Sequence, residues 1–150
     1  MVKLKRPDLA LDPDRDPVFS LRFIVSVVLM VLGVAWIAFY YAVLRVGSDG
    51  KAGSPKFLAD LHGWNYLIGF GLFFLGLIIA AHSSTPLGRG RGVVVGMLGC
   101  FLLGLAWICT FYVFSNDLSP IWVFNDLGQK NLLVGIAFMA TGFAYATRWE

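Results

Sequence analysis

Acidic side chains are scarce: the 150 residues hold nine Asp and Glu, and none of them falls inside the long apolar stretches. A small multidrug-type transporter needs a membrane-embedded carboxylate to exchange protons for its cationic substrates, so that class ranks as a distant third among the readings below. Cysteine and histidine are equally sparse, with two of each. Cys100 and Cys109 are nine positions apart on one predicted helix, which sets them about 180° apart around it and roughly 13 Å along it. They can form neither an intramolecular disulfide nor a CxxC redox centre. His62 and His82 bracket a predicted span and lie toward opposite membrane faces, too far apart to share a haem or a metal ion. There is no Ser-His-Asp set, glycine-rich phosphate loop or metal-ligand cluster. The sequence therefore predicts no enzyme, no cofactor and no metal.

What the chain has in quantity is apolar surface. It is 58% hydrophobic and 14% charged, too few polar groups to coat a soluble globule of this size. Residues 23–44 and 93–114 contain no ionisable side chain other than tyrosine and the thiols, and each exceeds the roughly 20 residues that cross about 30 Å of hydrocarbon. Trp64 to Ala81 and Asn131 to Thr147 are shorter, at the low end of the spanning range, each with an Asn at its start. The expected fold is an all-α membrane protein with four transmembrane helices in a lipid bilayer.

The basic residues orient it. Lys3, Lys5, Arg6, Arg15, Arg22, Arg89, Arg91 and Arg148 fall on one side of such a bundle, and Arg45, Lys51, Lys56 and Lys130 on the other. The positive-inside rule then puts both termini and the middle loop in the cytoplasm, N-in/C-in. The net charge of +3 is a topological signal, and no nucleic-acid partner is needed to explain it. Residues 1–19 alternate Lys/Arg with Asp and include Pro7, Pro13 and Pro17, the composition of a disordered cytoplasmic tail. The apolar run that follows is too long for a signal peptide and ends in Val43-Leu44-Arg45, as a retained anchor would.

The chain also repeats itself. Leu32-Gly33-Val34-Ala35-Trp36-Ile37 returns 71 positions later as Leu103-Gly104-Leu105-Ala106-Trp107-Ile108. Asp60-Leu61, Asn65, Leu67, Gly69 and Gly76 return 66 positions later as Asp126-Leu127, Asn131, Leu133, Gly135 and Gly142. The unit is a pair of helices, duplicated in the same orientation. This divides the chain into a tail (1–19), a first repeat (20–82), a short basic linker (83–92) and a second repeat (93–150). The fused copies would act as a tethered dimer. In the outer loops, Ser54-Pro55 and Ser119-Pro120 each precede a brief apolar stretch, which suggests a short interfacial helix with Ser as N-cap and Pro at its first position; an ordinary polar turn is the alternative.

Gly69 and Gly76, like Gly135 and Gly142, are seven apart and share a helix face, where small residues let helices approach. Gly92 and Gly96 are a weaker match to the same pattern. Trp36 with Tyr40, and Trp107 with Phe111, line one side of their helices at i and i+4. Tyr41 and Tyr112 suit a belt at the headgroups. Asn65 and Asn131 need either a hydrogen-bond partner or a place in the headgroup zone.

The order Leu-Gly-Leu-Ala-Trp-Ile, Phe-Tyr, a loop with Pro, then Asn, Gly, a Gly seven residues on and a closing Ala-Thr-Arg-Trp resembles the small actinobacterial cell-division protein family CrgA. Residues 98–149 carry the resemblance best, and residues 27–82 carry it again through Gly63-Trp64-Asn65-Tyr66-Leu67-Ile68-Gly69. The second copy has Lys130 where the family's Trp is expected, and the first ends in Ala81-His82 where the second keeps Thr147-Arg148-Trp149. Members have one helix pair; this chain has two. The resemblance implies a non-catalytic septal scaffold of the plasma membrane that helps recruit peptidoglycan synthases (septal penicillin-binding proteins) and other divisome membrane proteins, and that influences assembly of the FtsZ ring. A homo-oligomer is a candidate assembly. Its packing and interaction candidates are Gly33, Trp36, Tyr41, Trp64, Asn65, Gly69, Gly76, Gly104, Trp107, Tyr112, Asn131, Gly135, Gly142, Arg148 and Trp149. The alternative is an accessory subunit of a larger respiratory or cell-wall membrane complex.

Overall fold

The computed structural model describes residues 19–45, 50, 51 and 53–148; the N-terminal tail of residues 1–18 and Trp149 lie outside them. Every regular element among the described residues is helical. Helix α1 (Leu21–Phe39) continues as a π turn over Tyr40–Leu44; α2 (Lys56–Ala59) is a single turn, and α3 is Trp64–Ala80. A 3₁₀ turn at Pro86–Gly88 leads into α4 (Arg91–Val113), followed by the short α5 (Phe124–Leu127), a 3₁₀ turn at Gly128–Lys130 and α6 (Asn131–Ala146).

Two of these helices are long and apolar enough to cross a membrane, Leu21–Leu44 with 24 residues and Arg91–Val113 with 23. Helices α3 and α6 are shorter, at 17 and 16 residues. Helix α1 packs along α3 and α4 along α6, so each copy of the repeat is one helical hairpin. The hairpins meet through α3 and α6. Large apolar side chains such as Val31, Val34, Leu102 and Leu105 stay exposed on the outer flanks of α1 and α4, which water does not favour and lipid does.

Local chemistry sets the ends of the elements. The Ser20 side chain accepts from the Phe23 N–H at the start of α1, filling one of the donor vacancies of a first turn. Thr85 caps the linker turn by accepting from the Gly88 N–H, and Gly90, at φ +53°, opens α4. The loops joining α1 to α3 and α4 to α6, the outer loops of the sequence expectation, do contain single helical turns, placed just before Asp60 and around Asp126. Their caps are not the serines, however: Pro55 itself takes the N-cap position of α2, and Ser119 donates from its hydroxyl and its backbone N–H to Asp117. Those two bonds hold the Asp117 carboxyl below the usual carboxylate range.

The two copies solve the turn into α3 and α6 with different residues. His62 sits at φ +44° where its counterpart Gly128 sits at φ +50°. The left-handed region is open to glycine and costs a residue with a Cβ about 1–2 kcal/mol. His62 recovers part of that through a 2.6 Å bond between Nδ1 and the Asp60 carbonyl. His62→Gly is therefore expected to raise stability by about 0.5–1 kcal/mol, read as a higher midpoint in thermal unfolding of the purified chain.

Candidate functional site

Both hairpins close on the same glycine contact. A Cβ on Gly33 would lie 2.5 Å from the Gly69 carbonyl oxygen, and one on Gly104 would lie 2.8 Å from that of Gly135. Reciprocally, Gly69 receives the side chain of Ile37 and Gly135 that of Ile108. A helical turn or two further on, Gly76 lies against the Ser26 carbonyl and the Met30 side chain, while Gly142 lies against the Phe101 ring. The contacts obey the offsets of 71 and 66 positions seen in the sequence, so the duplication is one of packing as well as of residues. At Gly96, absent side-chain volume is filled by the ring of Tyr145, whose hydroxyl donates to the Leu77 carbonyl at 2.9 Å and ties α6 to α3.

The buried asparagines are clasps. Asn65 Nδ2 donates to the carbonyls of Leu58 and His62 at 2.7 and 3.3 Å, and Asn131 Nδ2 to those of Phe124 and Gly128 at 3.0 and 2.8 Å. Each amide thereby ties the short helical turn to the head of the following helix, adding a second donor to carbonyls that already accept a backbone N–H. The copies differ in the amide oxygen. Asn131 Oδ1 accepts from Trp107 Nε1 at 3.2 Å, whereas Asn65 Oδ1 and Trp36 Nε1 are both buried without a hydrogen-bond partner. Trp107 is held flat on Phe124, with ring centroids 4.4 Å apart, and edge-on to Phe70 of the first hairpin at 5.8 Å. Trp36 meets only Phe39 among the recorded ring pairs of the described residues.

Near the outer loops the hairpins are joined by a polar latch that exists once. Arg45 Nη2 lies 3.0 Å from Asp126 Oδ1, and Tyr66 donates its hydroxyl to Asp126 Oδ2 at 2.8 Å. The Arg45 guanidinium also sits 4.7 Å over the ring of Tyr41. Tyr41 in turn stacks on Trp122 and accepts from Asn125 Nδ2 at 3.2 Å. The π turn makes this reach available: the Arg45 N–H bonds the Tyr40 carbonyl five residues back, so Tyr40 and Leu44 turn inward while Tyr41 faces the second hairpin. Asp60 and Asn116 occupy the corresponding places in the opposite pairing, where a carboxylate would face an amide. The residues of the latch were legible only as departures from the repeat, Arg45 against Asn116 and Tyr66 against Leu132. Asp126→Ala leaves Arg45 and the Tyr66 hydroxyl without their acceptor; with the pair partly open to solvent, the expected loss is about 1–2 kcal/mol, measured by chemical unfolding in detergent.

A groove of about 720 Å³ runs between α3 and α6 below the outer loops. Leu67, Phe70, Leu133 and Ala137 form its apolar floor, and Asp60, His62 and Lys130 its polar rim. Trp64 also lines it and is 66% exposed. Its counterpart Lys130 extends across to the first hairpin, with Nζ 3.1 Å from where a Gly63 Cβ would be. Trp64 and Lys130, equivalent positions at which the copies differ, thus line one groove together. Tyr112 is exposed on the outer end of α4, and Arg148 lies at the opposite end of the bundle, beside Arg22 and His82. Among the described residues no three of His, Cys, Asp and Glu gather as metal ligands.

Comparison with known proteins follows this duplicated geometry. The family model described as cell division protein CrgA matches the chain twice, over residues 12–84 and 80–150. The chain belongs to the CrgA family. A cell division protein CrgA of Streptomyces avermitilis is 44% identical over 68 residues, which is 45% of this chain and 76% of that relative. One CrgA unit thus spans about half of this chain, and the chain is a tandem duplication of it. No solved structure matches. Membership of the CrgA family, with two helices fit to cross a bilayer, makes this a membrane protein related to cell division.

Proposed function

We propose that this chain is a non-catalytic scaffold of the division septum, inserted in the plasma membrane as four spans with both termini in the cytoplasm, which recruits septal peptidoglycan synthases and other divisome membrane proteins and modulates the FtsZ ring. The observation that carries the proposal is the CrgA match, made separately by each hairpin. Sidedness is supported by the distribution of Lys and Arg along the sequence, eight in the N-terminal, linker and C-terminal segments against four in the other two loops. The groove between α3 and α6 is the docking surface for a partner's transmembrane helix, since it offers an apolar floor, an exposed indole and a single cation at the headgroup level.

The test is a fluorescent fusion in dividing cells, with co-purification from mild detergent. Enrichment at septa supports the reading; a uniform membrane signal with a stable respiratory or cell-wall complex in the eluate replaces it with the accessory-subunit reading. Trp64→Ala removes the most exposed aromatic of the groove. It is expected to lower recovery of the co-purified partner at least tenfold, as loss of an interfacial Trp commonly costs about 2 kcal/mol or more. The unfolding midpoint should change little, because the indole is 66% exposed.

A further inference from the structure

At the end of the bundle that carries the linker, the start of α1 and the end of α6, a second cavity of about 410 Å³ opens beside the first turn of α1. Its walls are apolar, made by Leu21 and Val25 of α1 and Ile78 and Ile79 of α3. Its mouth holds Arg22, His82 and Arg148, and no carboxylate among the described residues lines it. Arg22 Nη1 lies 3.0 and 2.8 Å from the two ring nitrogens of His82. The Ser84 N–H also donates to His82 Nδ1, and an imidazole bears no negative charge in any tautomer, so it leaves the Arg22 guanidinium charge uncompensated. Arg148, brought in from the end of α6, adds a second guanidinium.

The helix end adds to this field. The Ser20 side chain takes up the Phe23 N–H, and the start of α1 brings the positive end of its dipole to Leu21 and Arg22, which line the cavity. Two fixed cations without an acid between them call for an anion. The aliphatic walls call for hydrocarbon attached to it, since a free anion gains nothing from Leu21, Val25, Ile78 and Ile79.

We propose that this cavity is a binding site for an anionic phospholipid, with the phosphodiester held by Arg22 and Arg148 and the head of one acyl chain lying along Val25 and Ile78. The site joins the start of α1, the end of α3 and the end of α6, so an occupied site ties both hairpins together at this end as the Asp126 latch ties them at the other. The inference does not depend on which leaflet this end faces.

The full chain in a non-ionic detergent, titrated with dioleoyl phosphatidylglycerol or dioleoyl phosphatidylcholine and followed by native mass spectrometry, tests it. Two basic groups at a lipid surface predict at least about a tenfold preference for phosphatidylglycerol. Arg22→Gln with Arg148→Gln should reduce that preference below about twofold, whereas Lys51→Gln with Lys56→Gln, at the opposite end, should leave it intact. Equal binding of the two lipids, or a preference that survives the double arginine variant, overturns the proposal. So does displacement of phosphatidylglycerol by millimolar inorganic phosphate, which would mark a site for a free anion. Because the double variant could misfold, the unmodified chain is also labelled with a phosphatidylglycerol carrying a photoreactive acyl chain. Adducts within residues 21–25 or 78–82 support the site, and adducts confined to other segments refute it.

Discussion

Gly33→Leu is expected to break the first hairpin. The Cβ alone would stand 2.5 Å from the Gly69 carbonyl oxygen and 2.7 Å from the Phe73 nitrogen, both backbone atoms that cannot swing aside. The remaining side-chain atoms would extend into α3, so the helices must separate along the whole contact, releasing the packing of Ile37 on Gly69 and of Met30 on Gly76. Overpacking of a rigid contact costs about 1–3 kcal/mol even for small additions, and a leucine at a backbone-to-backbone crossing exceeds that range; we expect at least about 4 kcal/mol, most of a typical domain's stability. Gly104→Leu meets the same obstacle at 2.8 Å in the second hairpin and should be nearly as damaging. Gly71→Leu is the control, because nothing lies within 4 Å of a Cβ there. Unfolding by sodium dodecyl sulfate in mixed micelles measures all three, and a Gly33→Leu midpoint equal to that of Gly71→Leu would falsify the contact.

The second large effect is an inequality between equivalent residues. Asn131→Leu removes the second donor from the Phe124 and Gly128 carbonyls, which keep the N–H groups of residues 128 and 131, and leaves Trp107 Nε1 without an acceptor. Asn65→Leu likewise removes a second donor from the Leu58 and His62 carbonyls, strands no indole, and at the same time removes a buried oxygen that has no partner. A stranded buried polar group costs about 1–3 kcal/mol in mutational series, with pairs inside membranes near the low end. Asn131→Leu should therefore cost about 2 kcal/mol and Asn65→Leu about 1 kcal/mol or less, and the two single variants and the double are unfolded side by side. Intrinsic Trp fluorescence adds a direct readout, with the Trp107 emission shifting in Asn131→Leu and staying put in Asn65→Leu. Equal losses for the two variants would show that the Trp107 bond contributes nothing.

Several of these features are readable from the residues alone. Glycines seven apart, an Asn at the head of each shorter helix and the offsets of 71 and 66 positions are local patterns, and the structure turns them into the Gly33–Gly69 and Gly104–Gly135 contacts and the two amide clasps. Features that depend on how the hairpins face one another are not local. Nothing in the run from Phe39 to Arg45 announces that its last turn widens to a π turn, because the register is chosen by the partners it serves, Tyr66 and Asp126. Likewise Ser54-Pro55 has the residues of a helix cap, yet the chain enters α2 one residue later, with Pro55 at the cap and Ser54 outside it. Trp36 and Trp107 are the same letter in the same motif. Only tertiary context separates the one that bonds Asn131 from the one left without a partner.

The single latch has a consequence for counting. Two identical hairpins related by a twofold axis would form Arg45–Asp126 and its mirror, and would present two equivalent edges to whatever approaches them. Here the positions equivalent to Arg45 and Asp126 are Asn116 and Asp60, which cannot form that ion pair, and the groove carries an indole at position 64 and an ammonium at position 130. The fused molecule therefore has a polarity in the plane of the membrane that a dimer of single units lacks. A partner seated in the groove as proposed would be taken up once per chain in one orientation, and a row of such chains would have a direction.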